Sequence, residues 1–61
     1  MTVDVLADKI IHETDEAVLV EVEGDEEHWL PFSQIQRVHR YPDGSVKLEI
    51  TDWLARKIGL L

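Results

Sequence analysis

The chain has 61 residues, 44% of them hydrophobic, and a formal net charge of −7, so one small folded domain over residues 1–61 is expected rather than a disordered chain. The absence of cysteine excludes disulfides and thiolate metal sites, and it favours a cytoplasmic protein. The opening residues lack the pattern of a signal peptide, and no apolar run approaches the roughly 20 residues of a membrane span.

The first half of the chain predicts three short strands joined by turns. Lys9–Thr14 ends at a turn formed by Asp15–Glu16. Ala17–Glu23 then alternates with a period of two, and its first half is apolar on both faces, as in a strand that is covered on both sides. Gly24–Asp25 is a turn signal, and Glu26–Pro31 follows closely enough to complete a hairpin.

The second half predicts a compact turn and two further strands. Pro31 lacks a ladder donor, so the chain is expected to leave the sheet there in one 3₁₀ turn, with the Ser33 hydroxyl satisfying a local backbone group. Ile35–Tyr41 resumes extended structure. Tyr41–Ser45 is the strongest turn signal in the chain, and the cleanest alternation of all follows it over Ser45–Thr51.

A short helix is predicted to close the chain over Thr51–Leu61. Thr51 or Asp52 can cap its start, and Gly59 suits the position after its end. The expected apolar stripe of this helix comprises Trp53, Leu54 and Ile58.

These elements predict a mostly β fold of four to five strands with a short C-terminal helix. A small SH3-like partly closed barrel is preferred, with a curled antiparallel sheet as the alternative. The expected core comprises Ile10 or Ile11, Val18, Val20, Val22, Leu30, Phe32, Ile35, Val38, Val46, Leu48, Ile50, Leu54 and Ile58. Because this core is thin and the chain ends in two leucines, a homo-oligomer is a reasonable expectation.

Two stretches of the chain carry a resemblance. Ala17–Ile35 contains Trp-Leu-Pro-Phe-Ser-Gln-Ile, and Thr51–Leu60 contains Trp-Leu-Ala followed by Lys-Ile-Gly-Leu. In these two stretches the chain resembles a group of short, functionally uncharacterised proteins of phages, plasmids and bacteria. Phe32 departs from the polar residue usual in that slot of the group. The resemblance implies a fold and a mobile-element setting, and it implies no activity.

The motif residues are expected to be architectural. Trp29 is interpreted as a half-exposed plug whose ring packs against the terminal helix, in contact with Trp53 or Leu54. If the ring belongs to the core, Trp29→Ala should cost about 3 kcal/mol or more of stability. Its neighbours in the motif are expected to shape the turn that redirects the chain. The structural set comprises Trp29, Pro31, Ser33, Gln34 and Trp53.

Nothing in the sequence predicts catalysis, a metal site or a cofactor. The three histidines lack metal-binding spacing, although His12 and His28 could lie on neighbouring strands. The paired carboxylates fall at predicted turns, where no apolar pocket would tune them, and Ser33 is not part of a nucleophile motif. The chain is therefore interpreted as a non-enzyme.

The leading hypothesis is a non-catalytic binding protein that docks a basic host protein through an acidic face, as an inhibitor or a nucleic-acid mimic. Residues 1–34 hold ten of the thirteen acids and one of the six Lys and Arg residues. The alternative use of such acids is to keep a small protein soluble. The candidate acidic face, one negative ridge, comprises Asp15, Glu16, Glu21, Glu23, Asp25, Glu26 and Glu27.

Two other functions stay open at this stage. One is single-stranded nucleic-acid binding by a basic and aromatic patch, which a strand's alternation would split, because Arg37 and Arg40 should point to opposite faces. The other is a small-molecule-binding oligomer. The candidate nucleic-acid residues are Arg37, Arg40, Tyr41 and Lys47.

Overall fold

A computed structural model of the chain describes residues 1–60 and contains six strands, one 3₁₀ turn and one short helix. The mostly β class and the C-terminal helix are confirmed, whereas the expected number of strands was too low. The elements are β1 (Thr2–Ala7), β2 (Lys9–Glu13), β3 (Ala17–Val22), β4 (Glu26–Pro31), the 3₁₀ turn (Phe32–Gln34), β5 (Ile35–Arg40), β6 (Val46–Thr51) and α1 (Asp52–Lys57).

The strands form two antiparallel sheets of three strands each, ordered β1-β6-β5 and β2-β3-β4. A single residue, Asp8, separates β1 from β2, so one nearly continuous stretch of chain passes from the first sheet to the second. The Asp8 N–H donates to the Glu21 carbonyl at 2.8 Å, which anchors this crossing on β3. The 3₁₀ turn makes the second connection between the sheets, from β4 to β5.

The missed strand is β1, and its pattern explains why. Val3, Val5 and Ala7 point towards the core, where Val5 and Ala7 are buried. Leu6 occupies an outward position and is 68% exposed, so the alternation of apolar and polar residues is broken at that point. β1 is a strand because it pairs with β6, where Thr2 lies opposite Thr51, and its local pattern alone does not predict this.

The core lies between the two sheets and is closed at one end by α1. Most of the expected members are buried, and three small or medium-sized residues outside the prediction join them: Val5, Ala7 and Ala55. Ile11 is 40% exposed, so of the two candidates in β2 it is Ile10 that packs on the core. The predicted members that are only partly buried against it are Ile10, Phe32, Ile35, Val38 and Ile58.

The helix α1 begins at the predicted cap. The Thr51 hydroxyl accepts from the Leu54 N–H at 3.2 Å and donates to Gln34 Oε1 at 2.7 Å. This contact joins the 3₁₀ turn to the helix through Gln34, whereas the bond expected from Ser33 is not formed: no side-chain hydrogen bond caps this turn. Gly59 follows the helix with a φ of +85°, as its predicted position requires.

The helix packs on its neighbours with a different face from the one expected. Leu54 and Ala55 are buried, and Trp53 is 55% exposed, with the Lys57 ammonium 4.9 Å from its ring centroid. The predicted stripe was therefore wrong at Trp53. Leu60 packs partly buried against the core, and Leu61, the other leucine of the expected sticky end, lies outside the described residues.

The interpretation of Trp29 as a plug beneath the helix was also wrong. Trp29 is 48% exposed, and its ring meets His12 of β2 rather than α1. The physical reason is topological. The helix packs on β6 and β1, in one sheet, and Trp29 points outward from β4, in the other.

Candidate protein-binding face

The surface of the β2-β3-β4 sheet that points away from the core, called here the outer face, carries side chains in three rows. Residues paired directly across antiparallel strands project to the same side of the sheet. The middle row comprises His12, Leu19 and Trp29. The row beside it comprises Lys9, Glu21 and Glu27. The third row comprises Ala17 and Pro31.

The middle row is an apolar strip at the surface. Trp29 is 48% exposed and its ring stands edge-on to His12, with ring centroids 6.1 Å apart and an interplanar angle of 84°. Leu19 lies half-buried between the two strands that carry these rings. A bulge between Ile10 and His12 adds one residue to β2, and the extra residue, Ile11, is itself 40% exposed. No layer of the described chain covers this strip.

The sequence indicated part of this strip. Alternation in β4 placed Trp29 on the same face as Glu27, a charged residue, and thus away from the core. The first half of β3 was expected to be covered on both faces, yet Ala17 and Leu19 on its second face are only half-buried. The bulge that shifts the register at Ile11 has no local sequence signal such as glycine.

The seven acids of the expected ridge do not form one. Asp15 and Glu16 occupy the turn that precedes β3, and Glu23, Asp25 and Glu26 gather where β3 ends. The six residues of β3 lie between Glu16 and Glu23, seven steps that span about 23 Å in extended structure. The remaining two acids, Glu21 and Glu27, lie directly opposite each other on the outer face.

The acids therefore flank the apolar strip. Glu21 and Glu27 occupy the row on one side of Leu19 and Trp29, and the Asp15–Glu16 turn closes the other end of the sheet, where the Phe32 N–H donates to the Glu16 carbonyl at 2.9 Å. All seven acids are exposed except Glu21, which is half-buried. The outer face thus presents apolar surface in the middle, a row of one base and two acids (Lys9, Glu21 and Glu27) beside it, and the acidic Asp15–Glu16 turn at the other end of the sheet.

His12 and His28 do not form a joint site, contrary to the expectation of neighbouring strands. β3 separates β2 from β4, and His28 pairs with Val20, on the inward side of the sheet. His28 Nε2 lies 3.4 Å from Glu26 Oε2 at the exposed end of β4. Within residues 1–60, no three side chains of ligating type come together as a metal site.

The candidate nucleic-acid residues are divided, as the alternation predicted. Arg37 Nε lies 3.5 Å from Glu49, and Arg40 reaches Glu13 of the other sheet at 3.2 Å. The strand register places Arg37 opposite Glu49 and Arg40 opposite buried Val46, on opposite faces of β5. Tyr41 is 44% exposed and Lys47 half-buried, so the four residues do not build one positive surface.

An open groove between β1 and the end of β3 is one place where a small molecule could bind. It is lined by apolar side chains from β1 and the end of β3 and by two carboxylates, those of Asp4 and Glu23. Because the groove is open to solvent, it would bury little of a ligand compared with the deep pockets that bind small molecules.

Comparisons with known proteins assign no family to the chain. No family model matches it, and neither a curated protein nor a solved structure is similar to it. The resemblance to short phage and plasmid proteins therefore stays a prediction. In the described residues there is no helix with the length and apolar character needed to cross a membrane.

Proposed function

We propose that this chain is a non-catalytic binding protein that docks a basic protein through the outer face of the β2-β3-β4 sheet. The observation that carries the proposal is the half-exposed Trp29, in an apolar strip that is flanked by acids. Trp29 supplies contact area, and the acids select the charge of the partner.

The exposure of Trp29 supports an interface because tryptophan is the residue most enriched among energetic hot spots. Trp29 stands beside Leu19 and its ring meets His12, so a partner would cover a contiguous strip rather than one isolated ring. The strand also holds the ring on a rigid element, which lowers the entropy lost when a partner binds.

The charge distribution supports a basic partner. Exposed acids raise the rate of encounter with a positive surface and repel other acidic molecules. Lys9 offsets one charge of the row that holds Glu21 and Glu27, and the two arginines of the opposite sheet lie in pairs with Glu49 and Glu13. A partner that presents Lys or Arg around an apolar centre would match both the strip and the acids that flank it.

The decisive experiment compares matched variants in quantitative capture from a bacterial lysate. Glu27→Lys and Asp4→Lys change the net charge equally, and each replaces an exposed strand acid opposite another acid, Glu21 or Glu49. We expect basic proteins to be captured by wild type and by Asp4→Lys, and to be lost with Glu27→Lys. Each captured protein is then purified and titrated to confirm direct binding.

A second matched pair tests the tryptophan. Trp29→Ala should abolish capture, whereas Trp53→Ala removes the other exposed tryptophan and should leave capture intact. Equal loss with Glu27→Lys and Asp4→Lys would show that only overall charge matters. Equal capture by wild type and Trp29→Ala would remove the outer face from the interaction.

We also propose that the two sheets form an SH3-like, partly closed barrel. Two features support this finer description: the β1–β2 stretch that belongs to both sheets, and the 3₁₀ turn that connects β4 to β5. A barrel of this kind leaves the outer face of the β2-β3-β4 sheet accessible to a partner. An experimental structure compared with SH3-like domains tests this proposal.

A further inference from the structure

The outer edge of β4 is open, and the alternation of ladder bonds shows which backbone groups it presents. β4 is the terminal strand of its sheet, so one side of its backbone has no partner strand in the described chain. The Phe32 N–H donates to the Glu16 carbonyl, which makes Phe32 and Glu16 a hydrogen-bonded pair. Bonded and non-bonded pairs alternate along an antiparallel ladder.

Counting back from that pair places Leu30, His28 and Glu26 in bonded pairs with β3. The backbone groups of Trp29 and Glu27 therefore point away from β3, to the open edge. The other ladder agrees, because the Ala17 and Glu21 carbonyls accept bonds from the β2 side, at 2.8 Å each. Odd-numbered residues of β3 thus bond to β2 and even-numbered ones to β4.

The same two residues therefore present both a free backbone edge and a side chain on the outer face. We propose that the basic partner binds by adding a strand to β4, with an apolar side chain beside Trp29 and a Lys or Arg beside Glu27. This inference rests on the proposed function and specifies the structure that the partner adopts. Strand addition of this kind takes affinity from main-chain bonds and specificity from alternate side chains.

The geometry sets the spacing of the recognised segment. A residue opposite Trp29 and a residue opposite Glu27 are two positions apart, and their side chains project to the same face. In the antiparallel direction, which this sheet already uses, the apolar residue precedes the basic one. Pro31 limits the edge on the other side of Trp29, because proline offers no N–H to an added strand.

Charge favours a basic segment over a second copy of this chain as the occupant. Pairing β4 with β4 of another copy would bring Glu26 and Glu27 of each chain into the same interface between strands. Each copy has a formal net charge of −7, so repulsion opposes this contact. A Lys or Arg opposite Glu27 instead adds a favourable cross-strand pair.

Synthetic peptides test the spacing. The probe is acetylated and amidated Thr-Thr-Leu-Thr-Lys-Thr-Thr, and its matched control, Thr-Thr-Leu-Lys-Thr-Thr-Thr, has the same composition with lysine on the opposite face. We expect NMR titrations to show shifts at the Trp29 and Glu27 amides, with affinity for the probe about tenfold higher, a difference of about 1.4 kcal/mol. Equal affinities would overturn the proposed register.

Backbone methylation tests whether the peptide is added as a strand. Methylation of the leucine nitrogen removes an N–H that faces β4 and should weaken binding by about tenfold or more, whereas methylation of the threonine that follows leucine should change it little. Glu27→Pro should weaken binding more than Glu27→Gln does, because both remove the charge and only proline removes the edge donor. The methylated peptides decide the question if Glu27→Pro does not fold.

The outcomes separate the two proposals. If capture of basic proteins requires Trp29 and Glu27 but peptide methylation does not change binding, the proposed function stands and strand addition is overturned. If the wild-type protein neither captures basic proteins nor binds the probe peptide, both proposals are overturned. Tighter binding of the acidic peptide Thr-Thr-Leu-Thr-Glu-Thr-Thr than of the probe would reverse the assigned charge and overturn the basic partner.

Discussion

The Thr51 hydroxyl donates to Gln34 Oε1 at 2.7 Å, and this one contact joins the turn between the sheets to the start of the terminal helix. The same hydroxyl accepts from the Leu54 N–H, so a single side chain serves as helix cap and as cross-link. Gln34 and Thr51 lie 17 positions apart in sequence and belong to different elements. Their contact therefore stabilises the tertiary arrangement as well as the helix.

Removing this hydroxyl should destabilise the protein measurably. We expect Thr51→Val to lower the free energy of unfolding by about 1–2 kcal/mol, because the helix loses its cap and Gln34 loses its partner. Gln34→Ala should cost about 0.5–1.5 kcal/mol, since the cap persists. Urea unfolding followed by circular dichroism measures both. Thr51→Ser retains the hydroxyl and is the control; a Thr51→Val variant as stable as Thr51→Ser would show that the contact contributes nothing.

The two adjacent apolar residues of β4 should respond very differently to truncation. Leu30 is fully buried, so Leu30→Ala should lower the free energy of unfolding by about 2–5 kcal/mol. Trp29 is half-exposed, so Trp29→Ala should cost about 1 kcal/mol or less, the size of a cross-strand pair. Urea unfolding of the two variants provides the comparison. A larger loss for Trp29→Ala than for Leu30→Ala would contradict the outward position of the ring.

The turn between β5 and β6 should show a specific pH dependence. The Ser45 hydroxyl at 2.6 Å and the Ser45 N–H at 2.9 Å both donate to Asp43 and lower the pKa of that carboxyl below its usual value. A carboxyl with a lowered pKa contributes stability above its usual pKa and loses that contribution as the pH falls through the lowered one. NMR titration of Asp43 should therefore show a pKa that rises in Ser45→Ala, while Ser33→Ala, far from this turn, leaves it unchanged.

Binding to nucleic acid should be absent or weak. The arginines of β5 lie on opposite faces and are paired with carboxylates, so they do not form a positive track for phosphates. We expect a single-stranded oligonucleotide column at low salt to release the wild-type protein in the void volume. Retention that Arg37→Gln and Arg40→Gln each reduce would support the nucleic-acid hypothesis, and a matched Lys9→Gln variant would control for loss of positive charge alone.

Local sequence patterns predicted most of the elements because those elements have local causes. The turn at Tyr41–Ser45 follows from proline and glycine, and the alternation in β6 follows from one buried face. The cap at Thr51 follows from the preference of helix starts for a hydroxyl. Each of these features is determined within a few residues, so no knowledge of the tertiary structure was needed.

The candidate site was harder to predict because it depends on which strands become neighbours. The acids looked continuous along the chain, yet β3 places them at opposite ends of a sheet. Trp29 was expected to be half-exposed and to pack its ring against the terminal helix, and the position of α1 on the other sheet rules out that contact. Alternation indicated the side of the strand, but the absence of a covering layer became visible only with the topology.

The pairing of β1 with β6 has a consequence for how the chain folds as it is made. The β2-β3-β4 sheet consists of successive hairpins, so all three of its strands are present once residue 31 has been synthesised. β1 finds its partner only when Thr51 emerges, because Thr2 pairs with Thr51. Contacts between such distant positions form slowly. The face proposed to bind a partner therefore belongs to the sheet whose strands are all synthesised first, while the nascent chain still lacks its second sheet.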